Sequence, residues 1–348
     1  MDSSQDIQFN LDISSGVGHI LLNRPRALNA LSLDMIRRMT ATLKQWESDP
    51  GVRMIMVQGE GDRAFCSGGD VKSIAQCRGE SFQTDFIREE YELDHLISQL
   101  DTPYISVWDG IVMGGGVGIS RMGHFRIATE RTVFAMPECG IGLIPDVGAG
   151  YFLSQLPGHV GLYLGLTGTR VTGADTRVLG LATHYIVSSH VSRVLESLSQ
   201  LSSVTRDSID QVLKQHCSEV STSDIWTQQH IDTINLTFNS ATLSQIIQTL
   251  QTSQSEFSRE TLQKINKCSP TSLSLAFKQL SLSTSTYQEA LEIEFRLMSK
   301  RFQDPDFYEG VRAALIDKDN KPRWEPDSID KVNNVDYYFQ HQPGDLKL

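Results

Sequence analysis

Two glycine-rich stretches, Phe65-Cys-Ser-Gly-Gly-Asp70 and Met113-Gly-Gly-Gly-Val-Gly118, decide how this chain folds. Each is predicted to lie at a junction between a strand and a helix. Glycine at such a junction lets the backbone approach a ligand closely and leaves N–H groups unpaired. Two junctions that face each other would supply two backbone donors to one oxygen, which suits an acyl carbonyl gaining negative charge. The alternative is that these glycines serve only tight turns or close helix packing.

The apolar pattern of the first 186 residues predicts an α/β fold. Three short runs bounded by Gly, Pro or polar residues are typical of strands: Met54–Val57, Tyr104–Val107 and Phe125–Ala128. Apolar residues at helical spacing predict one helix from Leu33 to Trp46, capped by Ser32, and another around residues 86–100. Strands that alternate with helices favour a mixed α/β architecture.

A change in composition near residue 187 predicts a second region. Glycines become rare there, and Ser, Thr, Gln and Leu dominate, with apolar residues at helical spacing. We therefore expect a core region over residues 1–186 and a helical region over 187–348 that packs on it. The closing segment, from about residue 317, is polar and rich in proline, which predicts an extended tail on the surface.

Three carboxylates are candidates for chemistry. Glu138 and Asp146 lie in a third glycine-rich stretch, residues 136–148, among Gly, Pro, Ile, Leu and Val. Carboxylates in such surroundings tend to have a raised pKa and to act as proton shuttles or nucleophiles, although each is also compatible with a cap or turn role. Glu90 falls on the apolar face of its predicted helix, where the alternative is a salt bridge at the helix edge.

Composition excludes several classes of function. The 348 residues carry a net charge of −11, which argues against broad binding to nucleic acid or to an anionic membrane, and no apolar run is long enough to span a membrane. The five cysteines are scattered without a Cys-x-x-Cys pair, and the nine histidines form no metal-binding spacing, so no metal is expected. Neither a dinucleotide fingerprint nor a phosphate loop is present.

The two ends of the chain give little information on its compartment. The first ten residues, MDSSQDIQFN, look like neither a secretory signal nor an Arg-rich mitochondrial presequence. The closing Leu346-Lys347-Leu348 loosely matches a peroxisomal address. We expect a mitochondrial matrix protein if the source is eukaryotic and a cytoplasmic one otherwise, with the peroxisome as the weaker alternative.

The motifs together resemble the enoyl-CoA hydratase/isomerase (crotonase) superfamily. The resemblance rests on four stretches in a fixed order: residues 22–30, 65–70, 113–118 and 134–148. With Arg88-Glu-Glu-Tyr91 and the late motif over residues 300–313, the chain is similar to the hydrolase branch of that superfamily. The resemblance implies a spiral of β-β-α turns followed by helices, and an acyl-CoA thioester as substrate.

The resemblance also implies roles for particular residues. The thioester oxygen would accept hydrogen bonds from the amides of Gly69 and Gly115, in a loop shaped by Ser67 and Gly68. Glu138 and Asp146 would be the catalytic pair, and both would contact substrate together with Glu90 and Gly115. Hydratases of the superfamily carry a second glutamate where this chain has Gly118, so the partner that positions water for addition to a double bond is missing.

No cofactor is expected, because the CoA implied by the resemblance is part of the substrate. Its phosphates need local cations on an acidic protein, and Arg24 and Lys72 are the candidates by position, with Lys321 and Arg323 as weaker ones. The alternative is that these are ordinary surface charges.

The expected function is hydrolysis of a small 3-hydroxyacyl-CoA in valine breakdown, with 3-hydroxyisobutyryl and 3-hydroxypropionyl thioesters both compatible. The alternatives are an enoyl-CoA hydratase or isomerase, since an isomerase can work with one glutamate, and a non-catalytic subunit of a larger assembly. Self-association into a homo-oligomer is also compatible with the resemblance.

Overall fold

The structure, a computed structural model, describes residues 5–219, 226–282 and 284–348. It contains two sheets and a series of helices. The strands are β1 (Ile7–Asp12), β2 (Val17–Leu22), β3 (Met54–Gly59), β4 (Ala64–Cys66), β5 (Tyr104–Trp108), β6 (Ile111–Met113), β7 (Phe125–Ala128), β8 (Val133–Ala135), β9 (Val171–Thr172) and β10 (His184–Tyr185). All three strands predicted from apolar runs, now β3, β5 and β7, are confirmed.

The first sheet has six strands in the order β1-β2-β3-β5-β7-β10. β1 and β2 form an antiparallel hairpin, and every later neighbour is parallel. Parallel neighbours need a crossover between them, and the crossovers here carry the helices of the first half of the chain. This is the alternation that the sequence predicts.

The second sheet is smaller and has the order β4-β6-β8-β9. β4 and β6 are parallel, with Cys66 paired to Val112. Since parallel strands end at the same edge of a sheet, the two glycine-rich stretches that follow β4 and β6 start side by side.

The helices begin with α1, which the sequence predicts closely. The helices are α1 (Leu33–Glu47), α2 (Val71–Gln76), α3 (Ser81–Gln99), α4 (Gly115–Arg121), α5 (Ala149–Phe152), α6 (Val160–Thr167), α7 (Asp175–Val178), α8 (Ser188–Ser199), α9 (Arg206–His216), α10 (Gln228–Phe238), α11 (Leu243–Thr252), α12 (Glu256–Ile265), α13 (Pro270–Ser281), α14 (Tyr287–Arg301), α15 (Pro305–Val311) and α16 (Val335–Phe339). Ser32 caps α1 as expected, because its side chain accepts a hydrogen bond from the Met35 amide. After β10, every element in the described part of the chain is helical.

Contacts between residues divide the chain into two compact units. The first comprises the described residues of Met1–Gly69, Glu92–Phe134 and Val171–Ile225, and the second those of Asp70–Tyr91, Ala135–Arg170 and Trp226–Leu348. Both units therefore draw on distant parts of the sequence. The predicted division at residue 186 follows the loss of glycine and the change to helices, and it stays a prediction.

The core of the first unit lies between the six-stranded sheet and two helices. α8 and α9 bury Val194, Leu198 and Leu213 against Met56 and Ile105 of the sheet. The parallel strands are apolar on consecutive residues, as expected of strands buried on both faces.

The core of the second unit surrounds α6. Seven of its residues, Val160, Gly161, Tyr163, Leu164, Gly165, Leu166 and Thr167, are buried. A helix that is apolar on all sides needs neighbours on all sides. α10, α12 and α13 pack against it.

The closing segment differs from the expected extended tail. It contains a short 3₁₀ turn, Ile329–Lys331, and α16. Near its end Leu346 is buried, and Asp345 forms an ion pair of 2.8 Å with Arg296 of α14. Side-chain burial and this ion pair hold the end of the chain, which its polar composition alone does not predict.

Candidate active site

The two glycine-rich loops that were predicted to supply backbone donors lie next to each other in the first unit. Gly68 has a φ of +113° and Gly114 a φ of +48°, in the region that side chains disfavour. A Cβ placed on Gly68 would lie 3.6 Å from the Gly115 amide nitrogen. Gly115 is the first residue of α4, where the helix itself provides no acceptor for the amide. Gly69 follows Gly68 directly, so the predicted donors belong to neighbouring turns.

The other two glycines of α4 serve packing. A Cβ on Gly116 would lie 2.3 Å from the Cys66 carbonyl oxygen, so this glycine lets α4 approach β4. A Cβ on Gly118 would lie 2.5 Å from a carboxylate oxygen of Asp94, which is completely buried on α3. The space that a side chain at position 118 needs is therefore occupied by Asp94. The packing explanation of the glycines is right for these two.

The three predicted carboxylates lie together in the second unit. Glu138 starts a 3₁₀ turn, Glu138–Ile141, that directly follows Pro137. Glu138, Asp146 and Glu90 are only 7%, 6% and 4% exposed, respectively. The charge of Asp146 acts on both glutamates, as their pKa values show. The inward orientation predicted for Glu90 is therefore what the structure has.

Burial governs the acidity of these groups. It raises the pKa of Glu138 well above the usual value, and the charge of Asp146 adds to that effect. The pKa of Glu90 is raised for the same two reasons. Burial raises the pKa of Asp146 to about 6, with a hydrogen bond from Tyr91 acting in the opposite direction. All three carboxylic acids are thus weaker than usual, and the charge of Asp146 couples its ionisation to that of both glutamates.

The hydrogen bonds of the three carboxylates are unequal. The Tyr91 hydroxyl donates to Oδ2 of Asp146 at 2.7 Å. Glu138 Oε2 and Glu90 Oε1 are buried, and neither has a hydrogen-bond partner among the described residues. A buried polar atom without a partner is unfavourable by about 1–3 kcal/mol, so these two oxygens are suited to receive a ligand or water.

The turn that carries Asp146 is held from α13 and α14. Val147 and Gly148 have φ values of +53° and +85°. Glu294 accepts hydrogen bonds from the Gly148 amide at 2.6 Å and the Gly150 amide at 2.8 Å. Gln279 donates to Glu294 Oε1 and to the Pro145 carbonyl, both at 2.8 Å. The turn is therefore fixed by side chains from distant helices.

Sequence reasoning missed Glu294. It lies on the buried face of α14 with Tyr287, Leu291 and Met298, at spacings of three and four residues. The rule that selected Glu90, a carboxylate on an apolar helical face, selects Glu294 equally well. Burial raises the pKa of Glu294 to about 8, although the N–H donors on its oxygens oppose this.

The four cationic side chains that are candidates to bind the CoA phosphates differ in their exposure and in their contacts. Arg24 forms an ion pair of 3.3 Å with Asp6, and it donates to the Ala30 carbonyl at 2.7 Å, so its guanidinium stabilises the loop after β2. Lys72 is exposed on α2 of the second unit, and Lys321 and Arg323 are exposed in the closing segment. The exposed three are accessible to an anion, whereas Arg24 has a structural role.

Within residues 5–219, 226–282 and 284–348, no three His, Cys, Asp or Glu side chains are arranged to hold a metal ion. None of the helices in the same ranges is long and apolar enough to cross a membrane.

Comparison with known proteins places this geometry in a family. Residues 17–339 match the sequence profile of the family described as Enoyl-CoA hydratase/isomerase. The 3-hydroxyisobutyryl-CoA hydrolase of rat, a mitochondrial protein by name, is 45% identical over 95% of this chain and 88% of its own length. The chicken protein of the same name is 43% identical over 100% of this chain and 92% of its own, and the human one 42% identical over 96% and 88%.

Solved structures with the same fold carry different names. A carnitinyl-CoA dehydratase from Mycobacterium thermoresistibile is 34% identical, with a TM-score of 0.91 over 99% of this chain and 98% of that one. An enoyl-CoA hydratase from Rhodobacter sphaeroides is 32% identical, with a TM-score of 0.87 over 96% and 97%. The expected fold, a crotonase-like spiral followed by helices, is confirmed. The chain belongs to the enoyl-CoA hydratase/isomerase family, on the branch shared with proteins named 3-hydroxyisobutyryl-CoA hydrolase.

Proposed function

We propose that this protein is a thioester hydrolase that converts 3-hydroxyisobutyryl-CoA and water into 3-hydroxyisobutyrate and free CoA. The observation that carries the proposal is the buried carboxylate pair, in which Glu138 has an oxygen without a partner in the described structure and Asp146 accepts a hydrogen bond from Tyr91. The relatives at 41–45% identity that bear the hydrolase name support the same reaction.

The pair suits hydrolysis because it supplies a base and an acid at once. Ionised Glu138 attacks the thioester carbon or removes a proton from water, and Asp146 relays a proton to the departing sulfur. The C–O bond forms, the C–S bond breaks, and the thiolate leaves as the CoA thiol. The amides of Gly69 and Gly115 would stabilise the oxyanion, at about 3–4 kcal/mol for each donor.

Two routes lead to the same products. Glu138 attacks the carbonyl carbon itself and forms a mixed anhydride, which water then opens, or it activates a water molecule that attacks directly. Asp146 orients that water or passes a proton to the thiolate. Turnover in heavy-oxygen water distinguishes the routes, because only the anhydride route leaves label in the Glu138 carboxylate.

Glu90 is the proposed contact for the substrate's 3-hydroxyl group. Its Oε1 is buried and without a partner in the described residues, so a hydroxyl that donates to it removes an unfavourable desolvated atom. This contact would make the enzyme prefer 3-hydroxyacyl thioesters over acyl thioesters that lack the hydroxyl group. 3-Hydroxypropionyl-CoA lacks only a methyl group and is the natural competitor.

The alternative is a hydratase, which the names of the two structural neighbours favour. Water addition needs a second positioned carboxylate, and at position 118 this chain has glycine with Asp94 in the adjacent space. Release of free thiol from 3-hydroxyisobutyryl-CoA identifies the hydrolase, and loss of the double bond of an enoyl-CoA identifies the hydratase.

The decisive experiment measures thiol release over a panel of 3-hydroxyisobutyryl-, 3-hydroxypropionyl-, isobutyryl- and crotonyl-CoA. Glu138→Gln and Asp146→Asn should each lower kcat by at least a hundredfold on the first two substrates. The matched control is Glu92→Gln, the same change at an exposed position of α3, which should keep wild-type kinetics. Full activity in Glu138→Gln, or no thiol release from any substrate, would refute the proposal.

Three further assignments belong to the same proposal. Lys72 and Arg24 receive the CoA phosphates, with Lys321 and Arg323 as weaker candidates, and no metal or organic cofactor takes part beyond the CoA of the substrate. The mitochondrial relatives support the mitochondrial matrix as the compartment. Self-association into a homo-oligomer is proposed from the family alone.

A further inference from the structure

We propose that Glu294 and Tyr91 are positioning residues that act through Asp146: Glu294 fixes the backbone of the turn that carries it, and Tyr91 fixes its carboxylate. This inference rests on the proposed hydrolase function and extends it to two residues that never contact the reacting atoms. All of the contacts lie within the second unit.

The turn after Asp146 has a backbone that needs external support. Val147 is β-branched, and its φ of +53° is strained for such a residue. Gly148 follows with a φ of +85°. A strained conformation of this kind persists only where its surroundings over-determine it, and such turns collect at functional sites.

Glu294 supplies most of that support. Its Oε2 accepts from the Gly148 amide and its Oε1 from the Gly150 amide, at 2.6 and 2.8 Å, so one carboxylate bridges two amides of the turn. Glu294 itself is fully buried, and its oxygens meet only N–H donors in the described structure. Glutamine at this position would have one acceptor oxygen and one NH₂ group, and the NH₂ group would face an amide N–H.

Two further side chains complete the support of the turn. Gln279 joins Glu294 Oε1 to the Pro145 carbonyl, one residue before Asp146. The Tyr287 hydroxyl donates to the Val147 carbonyl at 3.1 Å. Four backbone groups between residues 145 and 150 are thus held by α13 and α14, on both sides of Asp146, which has little freedom to shift.

Tyr91 acts on the side chain instead of the backbone. It is completely buried on α3, and its hydroxyl donates to Asp146 Oδ2 at 2.7 Å. That hydrogen bond stabilises the ionised carboxylate and fixes its rotamer. The neighbouring Glu90 lies on the same turn of the helix, so one helical segment presents both a proposed substrate contact and the donor that orients Asp146.

The two residues also act on acidity in different ways. The hydrogen bond from Tyr91 lowers the pKa of Asp146 against the effect of burial. The charge of Glu294 raises the pKa of Glu138. Loss of Tyr91 should therefore raise the pKa of Asp146 and move the acid limb of the pH profile to higher pH.

The first experiment compares Glu294→Gln with Glu289→Gln, the same change at an exposed position of the same helix. Misplacement of Asp146 should lower kcat on 3-hydroxyisobutyryl-CoA by roughly 10–100-fold with KM changed less than threefold. Glu289→Gln should match the wild type in both respects.

The second experiment compares Tyr91→Phe with Tyr337→Phe, whose ring is half exposed on α16. Tyr91→Phe keeps the buried ring and loses only the donor, so the fold should persist, which its melting temperature checks. The acid limb of kcat should move to higher pH by about 1–2 units, the value of one hydrogen bond to a charged carboxylate. Tyr337→Phe should leave the profile unchanged.

The outcomes separate this inference from the proposed function. Wild-type enzyme without thioesterase activity refutes the function. Active wild-type enzyme whose Glu294→Gln and Tyr91→Phe variants keep both kcat and pH limits refutes the positioning roles alone. The inference is also overturned if folded Tyr91→Phe loses kcat without movement of the acid limb, or if KM of Glu294→Gln rises as much as kcat falls, because general weakening of the structure explains either result.

Discussion

Gly118 offers a direct test of why this chain would hydrolyse thioesters and not hydrate double bonds. The resemblance to hydratases places a glutamate at this position. In the structure a Cβ on residue 118 would lie 2.5 Å from Asp94 Oδ2 and 2.9 Å from both Oδ1 and Cγ. All three distances are below any real contact of a Cβ, and Asp94 is completely buried.

The expected effect follows from this overlap. Adding a methyl group to a packed interior without room is destabilising by about 1–3 kcal/mol. At about 2–4 °C per kcal/mol for folding units of 150–250 residues, Gly118→Ala should lower the melting temperature by roughly 2–12 °C. Gly118→Glu adds a second carboxylate beside Asp94, with a repulsion of about 4 kcal/mol at 4 Å unless one group takes up a proton, and should be less stable still.

Thermal unfolding measured by circular dichroism provides the assay. The control is Gly140→Ala, because a Cβ at Gly140 would meet nothing within 4 Å and its φ is outside the left-handed region. It should melt within about 2 °C of the wild type. The same samples are assayed for water addition to crotonyl-CoA. The reasoning fails if Gly118→Ala melts with the wild type, or if Gly118→Glu gains hydratase activity.

Four further predictions follow from charge and burial. Because burial raises the pKa of Asp146 to about 6, thioesterase activity should fall below that pH, and kcat measured from pH 5 to 7 would contradict this if it stayed flat. The folded state also binds this proton more tightly than the unfolded state, so Asp146 should contribute about 3 kcal/mol of stability in acid that is lost as the pH rises from 3.8 to 6, a dependence absent from Asp146→Asn. Burial raises the pKa of the Cys268 thiol to about 12, so iodoacetamide at neutral pH should label the exposed Cys217 first, as peptide mass spectrometry can show. Arg301→Met should destabilise the fold by about 3–5 kcal/mol, since it leaves the buried Asp306 without its cation; an unchanged melting temperature would count against that.

Much of the fold was predictable because it depends on local patterns. Short apolar runs gave β3, β5 and β7, and the helical spacing after Ser32 gave α1 with its cap. The inward position of Glu90 followed from one helical period. The packed end of the chain was not predictable in this way, because the burial of Leu346 depends on partners far from it in sequence.

The residues of the candidate site also fall into two groups, those predictable from local sequence and those set by tertiary packing. By itself the sequence determined the order of elements, the glycine loops after β4 and β6, and the choice of Glu138, Asp146 and Glu90, since motif, composition and period are local properties. Only the tertiary structure decided that Asp94 fills the space at Gly118 and that Glu294 holds the turn after Asp146. Gly148 and Glu294 are 146 residues apart, and a contact over that distance arises only when the packing of α13 and α14 brings a side chain to a particular amide.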